Sequence, residues 1–242
     1  MKPSHRIPPA TVHRRVVLGS GLAGALALLA ACAPATTAVT PSPSRTAPTD
    51  ARSGLAALRA GNQRFAQARA EHPNQGIDRQ REVADGQDPF AIVLTCADSR
   101  LAPELVFDQG LGDLFTIRVA GNVVDSAVLG SIEYAALHLA TPLVVVLGHE
   151  KCGAVAAAID VSAGAATPEG EVASIVSRIM PAVEQARAEG AADLLESAVR
   201  INASHCAEQI ATAPPLVDAV TSKALTVVPA YYSLDTARVT FI

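Results

Sequence analysis

The chain is poor in the residues that would mark several common protein classes. Four cysteines in 242 residues, Cys32, Cys96, Cys152 and Cys206, are far too few for a disulfide scaffold. Lysine and arginine are also sparse. With residues 1–31 set aside, 15 basic residues face 23 acidic ones, a net charge of −8. A nucleic-acid partner calls for a basic stripe, so none is expected. Aromatic residues make up only 3% of a composition that is half apolar. Those proportions and the length suit one globular domain of ordinary size with a tail. The longest uncharged apolar stretch, Val16 to Ala31, falls short of the roughly 20 residues that a spanning helix needs.

That stretch follows Lys2, Arg6, Arg14 and Arg15, with no acid before it. A basic start and a short apolar run over 1–31 read as an export signal, with an uncleaved anchor helix as the alternative. "HRRVVLG" is similar to a twin-arginine signal, with His13 and Val17 at positions where Ser/Thr and Phe are usual. "LLAAC" resembles a bacterial lipoprotein box, which implies lipidation of Cys32 and an exported, extracytoplasmic, membrane-anchored protein. Gly19, Gly21 and Gly24 match G-x-G-x-x-G, but no strand precedes them, so the dinucleotide reading is rejected. Residues 32–52 are mostly Pro, Ser, Thr and Ala and read as a tether.

A folded domain is expected over 53–242. Leu55, Leu58 and Phe65 share a helical face that Gly61-Asn62 should interrupt. "QREVADG" suggests a further turn stopped at Gly86. "FAIVLT" (90–95), "LFTIRV" (114–119) and "PLVVVLG" (142–148) have strand length and β-branched content without clean alternation. Strands covered on both faces read that way. Helices are predicted at 103–108, 125–140, 153–161, 171–188 and 192–212, the fourth interrupted by Pro181. "ALTVVPAYY" and "ARVTFI", joined by "SLDT", should form a closing strand pair. The pattern implies an α/β fold with a mostly parallel central sheet flanked by helices.

In such sheets, sites lie beyond the carboxyl ends of the strands, and "CADSR" and "GHEKCG" both fall there. In an extended segment Cys96, Asp98 and Arg100 share a face. His149 and Cys152 stand three apart at a strand-to-helix turn. Two thiolates, an imidazole and a carboxylate at tetrahedral spacing favour Zn²⁺. Arg100 adds information, because a guanidinium two residues from a ligand has no use in a structural zinc site. By pairing with Asp98 it can free a fourth position for water. The spacing leaves other readings open: buried cysteines acting as small hydrophobes, an ordinary Asp–Arg ion pair, or a Cys96–Cys152 disulfide. His205-Cys206, His72 and His138 are expected in helix packing or at the surface, Glu150 and Lys151 toward solvent or a neighbouring subunit. The sequon at Asn202 falls in a predicted helix and is discounted.

With "LRAGNQRF", "FDQGLGDLFTIRVAGN", "GSIEYAALHLATPLVVVLGH" and "YYSLDTARVTF", these two stretches make residues 53–242 resemble the β-class carbonic anhydrases. The resemblance implies one zinc per chain on Cys96, His149 and Cys152. Asp98 would be a fourth ligand in a closed state and the partner of the attacking hydroxide in an open one, with Arg100 as its dyad partner. Gln109 would donate a hydrogen bond to substrate, and Gly153 would lie beside the metal. The implied reaction is reversible hydration of carbon dioxide to bicarbonate, in a homodimer or homotetramer whose membrane contact is the lipid at Cys32. Hydrolysis of carbonyl sulfide or carbon disulfide, or silent zinc or bicarbonate binding, are the alternatives. The chain departs from the family pattern at Val119, where Asn is frequent, and at Pro229 and Ala237, where Gly is common.

Overall fold

The computed structural model describes residues 47–242. The expected export signal, Cys32 and most of the tether lie outside the described residues. Within them the order is α1 (Ala51–Ala66), α2 (Ile77–Glu82), β1 (Ala91–Thr95), α3 (Pro103–Val106), β2 (Leu114–Arg118), α4 (Ser126–His138), β3 (Leu143–His149), α5 (Gly153–Ser162), α6 (Val172–Ala188), α7 (Leu194–Ala211), α8 (Val217–Thr221), β4 (Thr226–Tyr232) and β5 (Val239–Phe241). A single 3-10 turn, Ala120–Asn122, separates β2 from α4. No helix among the described residues is long and apolar enough to cross a membrane.

The five strands form one sheet in the order β2-β1-β3-β4-β5. The first four pair in parallel, and β5 closes the edge antiparallel to β4. β1 and β3 are buried along their whole length. Side chains alternate between faces, so each strand feeds two cores. Ile92, Leu94, Val144 and Val146 pack with α4 and α7, while Ala91, Val93, Val145 and Leu147 pack with α1 and α3. Apolar residues on both faces explain the absence of polar alternation.

Several sequence expectations shift. α1 begins at Ala51, two residues before the expected domain start, because Asp50 and Ser53 form a capping box. Gly61-Asn62 does not break α1. A Cβ on Gly61 would lie 1.7 Å from the Phe107 carbonyl oxygen, so the glycine allows α1 to touch the α3 backbone. Asn62 is buried there. Its amide donates to the carbonyls of Val106 and Ala237, and its oxygen accepts the Val239 N–H, tying α1 to α3 and β5. Pro181 does not interrupt α6, which runs through it. The proline is exposed, so the carbonyl it leaves without a helical partner can meet water. The turn read from "QREVADG" comes earlier, at α2, and the short α8 had no periodic signal. Ala237 has φ 56, a left-handed conformation that accounts for glycine being common there.

Candidate metal centre

Parallel pairing brings the two loaded segments together. β1 and β3 align Thr95 with Leu147, and the Thr95 hydroxyl donates to the Leu147 carbonyl at 2.9 Å. Cys96 follows the end of β1, and His149 is the last residue of β3. The chain reverses at Lys151, φ 55, and sets Cys152 as the N-cap of α5. The donor atoms of Cys96, His149 and Cys152 lie within 4.8 Å of one another, and all three residues are buried. It is the one such group among the described residues. Ligands of a single tetrahedral zinc, bound at about 2.0–2.3 Å, stand roughly 3.3–3.8 Å apart, so modest closing movements suffice.

His149 is already oriented for a metal. Its Nδ1 lies 2.8 Å from the Glu150 carbonyl, which can only accept, so Nδ1 carries the hydrogen. In the neutral ring Nε2 then holds the lone pair, and it is buried without a hydrogen-bond partner. A buried acceptor left unmade is costly, and a metal ion is the partner this donor set fits. Cys96 and Cys152 are free thiols. The Cys152 thiol, followed by His149 and the backbone N–H groups of Gly121 and Asp98, draws Cys96 down to about 4 against the effect of burial. The Cys96 thiolate and burial push Cys152 upward, opposed by the first N–H groups of α5. Burial alone would lower His149, but the Cys96 thiolate, the Glu150 carbonyl and Asp98 turn its net shift upward.

Asp98 stands at the rim, held by Arg100. The guanidinium donates from Nε to Oδ1 at 3.0 Å and from Nη2 to Oδ2 at 2.7 Å, and the Arg100 backbone N–H adds a bond of 2.9 Å. This fork holds the Asp98 carboxyl well below the usual carboxylate range. Oδ2 lies 3.9 Å from His149 Nε2, beside the cluster but engaged by arginine.

A carbonic anhydrase family profile matches residues 91–239, well over half of the chain. The chain belongs to the carbonic anhydrase family. It is 43% identical over 182 residues to carbonic anhydrase 2 of Mycobacterium tuberculosis, covering 75% of this chain and 88% of that one. It is 46% identical over 155 residues to a carbonic anhydrase of Mycolicibacterium smegmatis, covering 64% and 73%. Among solved structures, the β-carbonic anhydrase CafA of Aspergillus fumigatus superposes with a TM-score of 0.62 at 26% identity, covering 78% of this chain and 89% of that one. A tetrameric β-carbonic anhydrase of Sordaria macrospora gives 0.62 at 23% identity, covering 79% and 97%. The enzyme is thus a carbonic anhydrase with the β-class fold.

The remaining residues divide. Gly153 opens α5 next to Cys152, and nothing lies within 4 Å of where its Cβ would be. Gln109 is not brought to the cluster. It is buried, donates to the Phe107 carbonyl at 2.8 Å, and lines a cavity with Phe90 and Asp113, which precede β1 and β2. Cys96 lies past the other end of β1, and five strand residues span roughly 16 Å. Glu150 and Lys151 do not simply face solvent but bind the loop between β4 and β5. Cys206 is buried, which pushes its thiol up to about 12, and His205 meets Gln185 at 2.7 Å. Asn202 is buried inside α7 and donates to the Gly121 carbonyl, so its sequon is structural.

Two supports for the centre escaped the sequence. Gly121 donates its N–H to Cys96 Sγ at 3.3 Å, and its carbonyl is the one Asn202 holds at 2.9 Å. Arg118 reaches from the end of β2 to the carbonyls of Cys96 (3.3 Å) and Asp98 (2.6 Å), bracing the "CADSR" backbone. "RVAGN" lies within the family-like stretch, but nothing in its pattern reveals these contacts.

Proposed function

We propose that this enzyme hydrates carbon dioxide reversibly to bicarbonate and a proton, with zinc held by Cys96, His149 and Cys152. The observation that carries the reading is the three-donor cluster beside a carboxylate that an arginine holds away. Bound there, zinc would supply a Lewis acid that makes water a competent nucleophile near neutral pH. The chain's own residues do the rest. Cys96, Cys152 and His149 present three donors, and Asp98, engaged by Arg100, leaves a fourth position open. Asp98 stays ionised because Arg100 depresses its pKa, so its Oδ2 acts as an acceptor. With zinc bound, Asp98 Oδ2 would accept a hydrogen bond from the attacking water and so orient it toward carbon dioxide. Asp98 is thus an orienting group, and the released proton goes to buffer.

We also infer that the working form is a homodimer or homotetramer. Gln109 and the metal cluster lie at opposite ends of β1, so a substrate role for Gln109 requires a second copy. Exposed Leu105 and Leu111 line a second cavity beside Gln109, of about 390 Å³, and give apolar surface for that contact. Light scattering of the purified enzyme tests it, with a monomer at working concentration as the contrary result. Export and lipidation at Cys32 rest on the sequence pattern. Cys32→Ser should move the protein from membrane to soluble fractions, and unchanged membrane association would count against the anchor. For the reaction, stopped-flow hydration of carbon dioxide by protein of known zinc content is the direct test.

A further inference from the structure

The two residues between His149 and Cys152 each offer a carbonyl to a member of the site. Glu150 O accepts from His149 Nδ1 at 2.8 Å, and Lys151 O receives Arg100 Nη2 at 3.5 Å. That same Nη2 holds Asp98 Oδ2 at 2.7 Å, so Arg100 bridges Asp98 to the Lys151 backbone. What fixes this dipeptide lies outside both metal-binding loops. The Glu150 carboxylate accepts the Ser233 hydroxyl at 3.0 Å and the Asp235 N–H at 3.1 Å. Lys151 Nζ pairs with Asp235 at 2.6 Å and with Glu150 at 3.1 Å. The Glu150 N–H extends the β3–β4 ladder by donating to the Tyr232 carbonyl at 2.8 Å. Lys151 sits at φ 55, which a residue with a Cβ rarely adopts unless its surroundings hold it. Its ion pairs contribute to that restraint, together with the bonds of Glu150 to Tyr232, Ser233 and Asp235.

We propose that the Glu150–Lys151–Asp235 cluster is a latch that positions Arg100 through the Lys151 carbonyl. It thereby sets how firmly Asp98 is kept away from the metal-binding donors. These are positioning residues, since their side chains act on Asp98 only through the backbone and Arg100. The inference rests on the metal reading given under Proposed function. Asp235 is the lever to test. It is far from the ligands in sequence and its side chain is 67% exposed, so its ion pair adds little to stability. Losing it should change the set of Arg100 without unfolding the chain.

The experiment uses cobalt-substituted enzyme titrated with azide, followed in the visible d–d bands. Azide needs the fourth position, so its affinity reports how often Asp98 leaves that position free. Asp235→Asn should weaken azide binding about threefold, the scale of one exposed ion pair, with cobalt content and Tm unchanged. In the zinc form kcat should fall with it while KM holds. Asp235→Glu should restore both. Equal azide affinity in Asp235→Asn and wild type overturns the latch. So does a loss that Asp235→Glu does not restore, or one that comes with lost cobalt or a lowered Tm. If the azide shift appears but the wild-type zinc enzyme does not hydrate carbon dioxide, the latch stands and the proposed reaction fails. If hydration is present and the azide shift absent, the reverse holds.

Discussion

Replacing Gly121 by alanine should damage the metal centre from behind. Gly121 has φ 69, and a left-handed conformation costs a residue with a Cβ about 1–2 kcal/mol. The new methyl would stand 2.6 Å from Ile179 Cδ1 and 3.1 Å from Ala154 Cβ, inside a packed cluster. Overpacking of that kind costs about 1–3 kcal/mol. The stiffer unfolded chain returns roughly 0.4–1 kcal/mol. The net loss is then about 1–4.5 kcal/mol, a sizeable share of the ~5–15 kcal/mol that holds a domain together. Strain at Gly121 that is relieved through the backbone shifts its N–H relative to Cys96 Sγ, so metal affinity should fall as well. Gly130→Ala is the control. Gly130 is exposed within α4 with nothing within 4 Å of its would-be Cβ, so the same change should stabilise by ~0.5–1 kcal/mol. Urea unfolding and chelator competition on both variants give the comparison. A Gly121→Ala protein with wild-type stability and zinc retention would mean that neither the left-handed backbone nor its close contacts matter at Gly121.

Asn202→Ala leaves the buried Gly121 carbonyl without its donor and should cost ~1–3 kcal/mol, read by urea midpoint, with faster zinc loss to a chelator. Arg100→Ala frees Asp98 to occupy the fourth position, so zinc content should hold while carbon dioxide hydration falls about 10²-fold; a wild-type rate and pH profile would show that Arg100 does not keep Asp98 off that position. In acid the sign follows from the depressed Asp98 pKa. The Asp98–Arg100 pair contributes above the unfolded carboxylate pKa and is lost as pH falls through the folded value, so the acid-limb difference in Tm between wild type and Asp98→Asn should shrink at low pH.

The sequence made the donors legible and left their supports hidden. Cys96, His149 and Cys152 could be found because each sits at or just past the end of an apolar strand, where an α/β sheet opens its site. Strands β1 and β3 were equally plain, since burial on both faces demands unbroken apolar runs. Gly61 looked like a helix breaker because its reason lies 46 positions away, in the Phe107 carbonyl against which α1 packs. Pro181 looked like an interruption because sequence does not show which helix face meets water. The Gly121–Asn202 bond spans 81 positions and has no local signal, and Arg118 reaches backbone atoms, which any residue type presents. The resemblance implied a substrate role for Gln109, yet its place at the amino ends of β1 and β2 follows from how α3 turns the chain back.

Zinc on Cys96, His149 and Cys152 is the proposed source of carbon dioxide hydration. Stopped-flow hydration should be measured on the purified enzyme as isolated, after zinc is stripped by chelation, and after one equivalent per chain is restored, with Cys152→Ser taken through the same series. Activity should disappear with the metal, return with one equivalent, and never appear in Cys152→Ser. Hydration that persists in metal-free protein, or full zinc occupancy with no hydration above buffer, would contradict that role for zinc.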